Sequence, residues 1–189
     1  MGFVTATLMP AVLAAFLALV AQQILGPAFT AFQEGKRLAA AFAAEIEALL
    51  ALIRERSMVQ ALRNQAEIIE ALRVAEDPAL PQHVLYLSVS LTYFEVYSAN
   101  VSRLGLLKEL APGIVTLYTR AKAFLEDMQV LRELHRDMVE GHFQHADPRF
   151  LVPRYTMAAD LIEQWVQQGT VIAQALRHFS QRRILGLIP

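Results

Sequence analysis

The hydrophobic pattern begins with one uninterrupted block. The first 33 residues, "MGFVTATLMPAVLAAFLALVAQQILGPAFTAFQ", contain no charged side chain, and Glu34 is the first. A helix over residues 3–25 would be about 34 Å long at ~1.5 Å per residue. This length exceeds the ~30 Å hydrocarbon core of a bilayer. The pattern predicts a transmembrane anchor over 1–27 that contacts lipid through 3–25 and leaves the bilayer at Gly26-Pro27.

A secretion signal or a buried core helix can also begin with an apolar block. A secretion signal carries Lys or Arg before the apolar run and small residues at its cleavage site. The segment "MGFVTATLMP" has neither Lys nor Arg, and a cut after Ala21 would place Leu19 at the −3 position. A core helix does not require such a length. The membrane anchor is therefore the favoured interpretation.

Basic residues flank the predicted anchor on one side only. Lys36 and Arg37 follow the apolar block, and no Lys or Arg precedes it. Cytoplasmic flanks of membrane helices carry the excess of Lys and Arg. We therefore expect a single-pass inner-membrane protein with its N-terminus outside and its helical domain in the cytoplasm.

The second region, 28–76, has helical periodicity. One apolar stripe slips at "RERSMVQ" and resumes in a shifted phase, and Ser57 with Gln60 fits a capping box there. Residues 28–76 are predicted to form an amphipathic, stalk-like region, either as two helices or as one kinked helix. The stripe comprises Leu38, Phe42, Ile46, Leu49 and Ile53, then Val59, Leu62, Ala66, Ile69 and Leu72.

A cytoplasmic helical domain is predicted for 77–189. It begins with a loop at Pro78 and Pro81, and then residues 84–91 alternate as a strand does. A lone strand leaves its backbone groups unpaired, so this segment either pairs with a partner chain or lies extended across the helices. We expect the second arrangement.

Three helical patterns follow the extended segment. The first starts at a capping box of Thr92 and Glu95 and should end at Gly105 in a left-handed conformation. Pro112 suits the first turn of the next helix. The three apolar stripes are Phe94, Tyr97, Val101 and Leu104; Ile114, Leu117, Ala121, Phe124, Met128, Leu131, Leu134 and Met138; and Tyr155, Ala158, Ile162, Trp165, Ile172, Leu176 and Phe179.

The predicted fold class is thus all-α. It combines a single N-terminal transmembrane helix, a long amphipathic helical region, and a compact bundle of about three helices with one short extended segment.

Composition narrows the possible functions. The net charge is −1 and the isoelectric point is about 6.5, whereas nucleic-acid binding domains have a strongly basic face. The chain has no cysteine, which excludes disulfides, thiolate nucleophiles and thiolate metal sites. Nucleotide-binding and nucleophile-elbow motifs are absent from the sequence.

The segment "YFEVYSANVSRLGLL" resembles one shared by a loose group of small bacterial proteins that have an N-terminal membrane helix. The shared form is Y-F-x-V-Y-x-A-N-x-x-x-x-G-L-L. It is carried here by Tyr93, Phe94, Val96, Tyr97, Ala99, Asn100, Gly105, Leu106 and Leu107. The resemblance implies bacterial origin and membrane anchoring, and it implies no reaction, because no activity is assigned to the group.

Few side chains suggest chemistry. His135, His142 and His145 form the one histidine cluster, and zinc requires three or four converging ligands. Gly141 and "HADPRF" favour a solvated loop there, so we assign no metal, cofactor or catalytic residue. Asn100 is expected to brace the turn at Gly105, because a buried amide needs hydrogen-bond partners.

The sequence therefore favours a membrane-anchored protein that acts by protein–protein interaction, as an anchor, adaptor or assembly subunit, rather than an enzyme. Two alternatives stay open: a membrane effector of phage or defence type, and an enzyme with a histidine metal site. Self-association is a further expectation. It has three bases: the long stalk-like face with Leu49 and Ile53 as test positions, the strand-like segment 84–91 that lacks an obvious partner, and small residues in the membrane helix that allow close helix approach in lipid. These small residues are Ala11, Ala14, Ala15 and Ala18.

Overall fold

The computed structural model describes residues 3–74, 94–142 and 150–182, in which every regular element is helical. The all-α fold class predicted from the sequence is therefore confirmed. The α-helices are α1 Phe3–Val20, α2 Gly26–Glu55, α3 Met58–Val74, α4 Glu95–Asn100, α5 Ala111–Val139 and α6 Leu151–Gln181. A π-helical turn, Ala21–Leu25, joins α1 to α2, and a 3₁₀ segment, Val101–Leu110, joins α4 to α5.

The helix does not end at Gly26-Pro27, which corrects the sequence-based expectation of a break there. Proline lacks an N–H and its ring clashes with the carbonyl four residues earlier. The π-helical turn widens the backbone just before Pro27, and the Gly26 N–H bonds to the Ala21 carbonyl five residues back. The Thr30 hydroxyl donates to the Gly26 carbonyl at 3.0 Å. The chain thereby passes the proline and remains helical.

The N-terminal part of this long helix is apolar and stands clear of the bundle. Val12, Leu17 and Leu25 are each more than half exposed. By length and composition, this helix can cross a membrane.

The helix does break at Arg56 and Ser57, which decides between one helix and two in the predicted stalk-like region. Ser57 has φ +48°, and α3 begins at the next residue. A left-handed residue ends a helix readily. The Gln60 amide donates to Asn64 at 2.6 Å.

Two apolar clusters build the bundle, one above the other along α2 and α3. The membrane-proximal cluster is formed by α2, the start of α5, the C-terminal half of α6, and the segment that contains α4. The distal cluster is formed by α3, the rest of α5 and the first half of α6. The helices α5 and α6 contribute to both clusters and hold them together.

The region predicted as a stalk does not stand apart from the domain. Leu49 is 5% exposed and contributes to the membrane-proximal cluster, and Ile53 packs against it. The apolar face that suggested self-association is covered by the chain's own α5 and α6. A charge at Leu49 would therefore be buried without a partner and would destabilise the bundle itself, so it is no test of oligomerisation.

Gly105 does not end a helix in a left-handed conformation, which is a second correction. The α-helix ends at Asn100, and the positive φ in this segment belongs to Lys108, at +49°. Asn100 closes the last turn of α4 by donating to the Val96 carbonyl at 2.9 Å. Val101, expected on the buried face, is 49% exposed, because the change to 3₁₀ geometry alters which residues share a face.

The other two stripes pack as predicted. Pro112 lies in the first turn of α5 and Gly141, with φ +78°, follows its end. The Trp165 indole N–H donates to the Leu117 carbonyl at 2.9 Å, which fixes α6 against α5. The loop at Pro78 and Pro81, the extended segment 84–91, and residues Thr92, Tyr93 and His145 lie outside the described residues.

Gly35 lets the 3₁₀ segment approach α2 closely. A Cβ atom at Gly35 would lie 3.1 Å from the Leu106 carbonyl oxygen. The neighbouring Leu107 is buried, with 1% exposure, so the carbonyl has little room to move. Gly113, in the first turn of α5, faces a less crowded contact, since its Cβ would lie 3.5 Å from the end of the Ile172 side chain.

These two glycines provide a matched prediction. Alanine usually stabilises a helix by up to about 1 kcal/mol relative to glycine. We expect Gly35→Ala instead to lower the free energy of unfolding by about 1–2 kcal/mol, because the new methyl presses on backbone. Gly113→Ala should be neutral or stabilising. Urea unfolding of the full chain in mild detergent, followed by circular dichroism, measures both, and equal effects would contradict the close approach.

Candidate functional site

The most connected polar group in the described residues is the carboxylate of Glu45, on α2. Its Oε1 accepts the Val96 N–H at 2.6 Å, and its Oε2 accepts the Tyr97 N–H at 3.2 Å. The Tyr118 hydroxyl from α5 also donates to Oε2. Three donors from two other segments thus converge on one side chain.

Glu45 satisfies the beginning of α4. The first N–H groups of a helix have no partner within the helix, and acidic side chains are the favoured acceptors there. In this chain the acceptor comes from α2, which lies far away in sequence. The hydrogen bonds therefore cap α4 and attach it to α2 at the same time.

Aromatic rings pack around Tyr118, the tyrosine that donates to this carboxylate. Tyr97 stacks on Tyr118 with ring centroids 4.2 Å apart and an interplanar angle of 13°. Phe94 meets the edge of Tyr118 at 5.4 Å and 90°, and Phe42 packs on both tyrosines. The Lys122 ammonium lies 5.6 Å from the Tyr97 ring centroid. Phe94 and Tyr97, both from the segment "YFEVYSANVSRLGLL", thus contact the same ring, that of Tyr118.

The electrostatics fix the protonation of Tyr118. Burial, together with the hydrogen bond to Glu45, raises the pKa of the Tyr118 hydroxyl far above its ordinary value. The hydroxyl therefore stays protonated and acts as a donor at physiological pH. A carboxylate committed to three protein donors is suited to joining segments rather than to transferring protons.

Little in the sequence pointed to this cluster. Glu45 lies outside the predicted apolar stripe of residues 28–76, and Tyr118 lies next to Leu117, just outside the predicted α5 stripe. A charged residue beside an apolar stripe is common on the solvated face of a helix. Only the tertiary contacts make Glu45 a structural centre.

His135 and His142, the members of the predicted cluster that lie within the described residues, are not brought together as a metal site. His135 is buried within α5, and its Nδ1 lies 2.7 Å from the Tyr155 hydroxyl of α6. Burial raises the pKa of that hydroxyl. His135 thus packs in the distal cluster.

His142 lies instead at the exposed end of α5. Its Nδ1 is 3.8 Å from an Asp137 oxygen and 3.6 Å from a Glu140 oxygen. These three residues are the group in the described chain whose ligand atoms lie within 4.8 Å of one another. They are exposed or half-buried, as a solvated charged turn is, and we assign no ion to them.

The residues predicted to orient the chain lie where α2 enters the bundle. The Lys36 ammonium is 5.9 Å from the Phe32 ring centroid, and Arg37 is exposed. Lys36 and Arg37 lie seven and eight residues, about two turns, after Phe29, the last exposed large apolar residue before the bundle.

Comparison of the chain with protein-family models, with curated proteins and with solved structures finds no match. The description of the site therefore depends on its geometry alone.

The Glu45 cluster generates a double-mutant prediction. Glu45→Gln replaces one of the two accepting oxygens with an NH₂ group, which cannot accept a hydrogen bond, and should cost about 1–3 kcal/mol of unfolding free energy, as expected for hydrogen bonds to a charged group. Tyr118→Phe removes one donor and should cost about 1–2 kcal/mol. The loss of unfolding free energy in the double variant should be smaller than the sum of the two single losses by at least about 1 kcal/mol. The reason is that both side chains belong to one hydrogen-bond network.

Thermal or urea unfolding of the full chain in detergent measures this coupling. Glu47→Gln is the matched control on the same helix, since Glu47 makes an exposed ion pair with Arg177 and exposed pairs contribute little. Additive effects of Glu45→Gln and Tyr118→Phe would contradict the network.

Proposed function

We propose that the chain is a single-pass inner-membrane protein whose helical bundle works in the cytoplasm by protein–protein interaction, as an anchor, adaptor or assembly subunit. The observation that carries the proposal is the continuity of the helix. The apolar stretch of α1 leads through the π-helical turn into α2, and α2 supplies a large part of the core.

This continuity has a mechanical consequence. A flexible linker would let the bundle rotate freely below the membrane, whereas a helix unbroken from residue 3 to residue 55 fixes its height and orientation. A protein that presents one face at a fixed distance from the bilayer benefits from such a connection. An enzyme that acts on a soluble substrate does not require it.

The outer surface of the bundle supports a function based on contact. Phe150, Met157 and Leu161 are exposed and lie on one side of α6, since seven and four residues separate them. Single exposed apolar residues are ordinary, but these form a row that the chain's own core does not use.

The proposed orientation is tested with C-terminal fusions in a bacterial host. Because Lys36 and Arg37 should hold their side of the helix in the cytoplasm, we expect a fused alkaline phosphatase to be inactive and a fused green fluorescent protein to be bright.

The matched variant exchanges the flanking charges. Thr5→Lys and Thr7→Lys, combined with Lys36→Gln and Arg37→Gln, should shift a measurable fraction of the phosphatase fusion to the active state. High phosphatase activity of the unmodified chain would overturn the orientation, and release of the chain by alkaline carbonate would overturn the anchor.

A further inference from the structure

The end of the bundle that adjoins the apolar helix carries a group of basic side chains from three separate parts of the chain. We call it the basic collar. Its members come from α2, from the 3₁₀ segment and from the residue after α6, and they are Lys36, Arg37, Arg103, Lys108 and Arg182.

Three contacts place these segments at the same height along the axis of α2. Gly35 lies against the Leu106 carbonyl, and the Phe179 ring centroid lies 6.3 Å from that of Phe32. Arg103 pairs with Glu34 at 3.1 Å. The 3₁₀ segment and the end of α6 therefore flank α2 at the point where its first charged residues appear.

Aromatic rings hold two of the cations in place. The Arg182 guanidinium lies 5.6 Å from the Phe179 ring centroid, and the Lys36 ammonium lies 5.9 Å from that of Phe32. Such contacts order the side chain but leave its charge available to an anion. Arg37, Lys108 and Arg182 are exposed.

The collar is basic although the chain is not. Residues 34–37, 101–110 and 182 contain these five basic residues and two acidic ones, Glu34 and Glu109, so their net charge is +3. The rest of the chain has the other 12 of 17 basic and 16 of 18 acidic residues, a net charge of −4. Positive charge is thus concentrated at one end of the bundle.

The length of the uncharged helix brings this end to the bilayer surface. Residues 3–33 are helical and uncharged, which corresponds to about 46 Å at ~1.5 Å per residue. A bilayer measures about 40–45 Å when its headgroup regions are included. The first charged turn of α2, and with it the collar, therefore lies at headgroup level when α1 spans the membrane.

We propose that the basic collar binds the phosphate groups of anionic phospholipids in the leaflet from which the helix emerges. This proposal rests on the membrane anchoring proposed above and adds a lipid class to it. Guanidinium groups pair with phosphate in two-bond geometry, and anionic leaflets attract basic residues next to a membrane helix. The collar would restrict the rotation of the bundle against the bilayer, because its cations come from three separate segments of the chain.

The test uses the full chain in a mild nonionic detergent, mixed with phosphatidylglycerol or phosphatidylcholine, with bound lipid counted by native mass spectrometry. We expect at least about tenfold preferential retention of phosphatidylglycerol, and a marked weakening of it by added salt. Lys36→Gln with Arg37→Gln and Arg182→Gln should reduce the preference to within about twofold.

The matched control neutralises three exposed arginines that lie away from the collar: Arg54→Gln, Arg136→Gln and Arg154→Gln. It should keep the preference. A second collar variant, Arg37→Gln with Lys108→Gln, should weaken the preference even if the triple variant misfolds, because both side chains are exposed and glutamine keeps an unbranched side chain at Lys108.

Three outcomes would overturn the collar: equal retention of both lipids, an equal loss in the control variant, or displacement of phosphatidylglycerol by an equal concentration of inorganic phosphate. Alkaline carbonate extraction separates this failure from failure of the anchor. If the chain stays in the membrane but shows no lipid preference, only the collar proposal fails. If carbonate releases the chain, the anchoring fails as well.

Discussion

The hydrogen bonds to Glu45 are the interaction on which the membrane-proximal half of the bundle depends. They attach α4 to α2 and position Tyr97 on Tyr118. The 3₁₀ segment that follows α4 then reaches Gly35, and this contact sets the level of Arg103 and Lys108. A single carboxylate in the middle of a helix thereby determines how the segment is folded back toward the membrane.

The long N-terminal helix connects this local chemistry with the proposed function. Its apolar stretch and its buried stretch are parts of one continuous element, so any tilt of α1 is transmitted to the bundle. Adding lipid-binding cations at headgroup level would restrict rotation about the helix axis as well. In this proposal the helix sets the height and tilt of the bundle, and the lipid-binding charges add its rotation about the helix axis.

The described histidines show why a spacing pattern is weak evidence for a metal site. His135 and His142 are seven residues apart, which would place both on a similar side of a continuous helix, but α5 ends at Val139 and His142 lies beyond it. The helix buries His135 against Tyr155 and leaves His142 near its exposed end. Burial depends on what packs against each turn, and this is a property of α6 rather than of the spacing.

The sequence by itself determined the helical elements, because apolar periodicity, prolines and the left-handed residues after helices act locally. It predicted the apolar helix, the stripes of α5 and α6, and either a break or a kink near Ser57. The passage through Pro27, the positive φ at Lys108 rather than Gly105, and the burial of the predicted stalk were decided by tertiary structure. The same holds for Glu45, Tyr118 and the basic collar. Their partners lie far away in sequence, and a hydrogen bond or a shared charged surface forms only after packing has brought distant segments together.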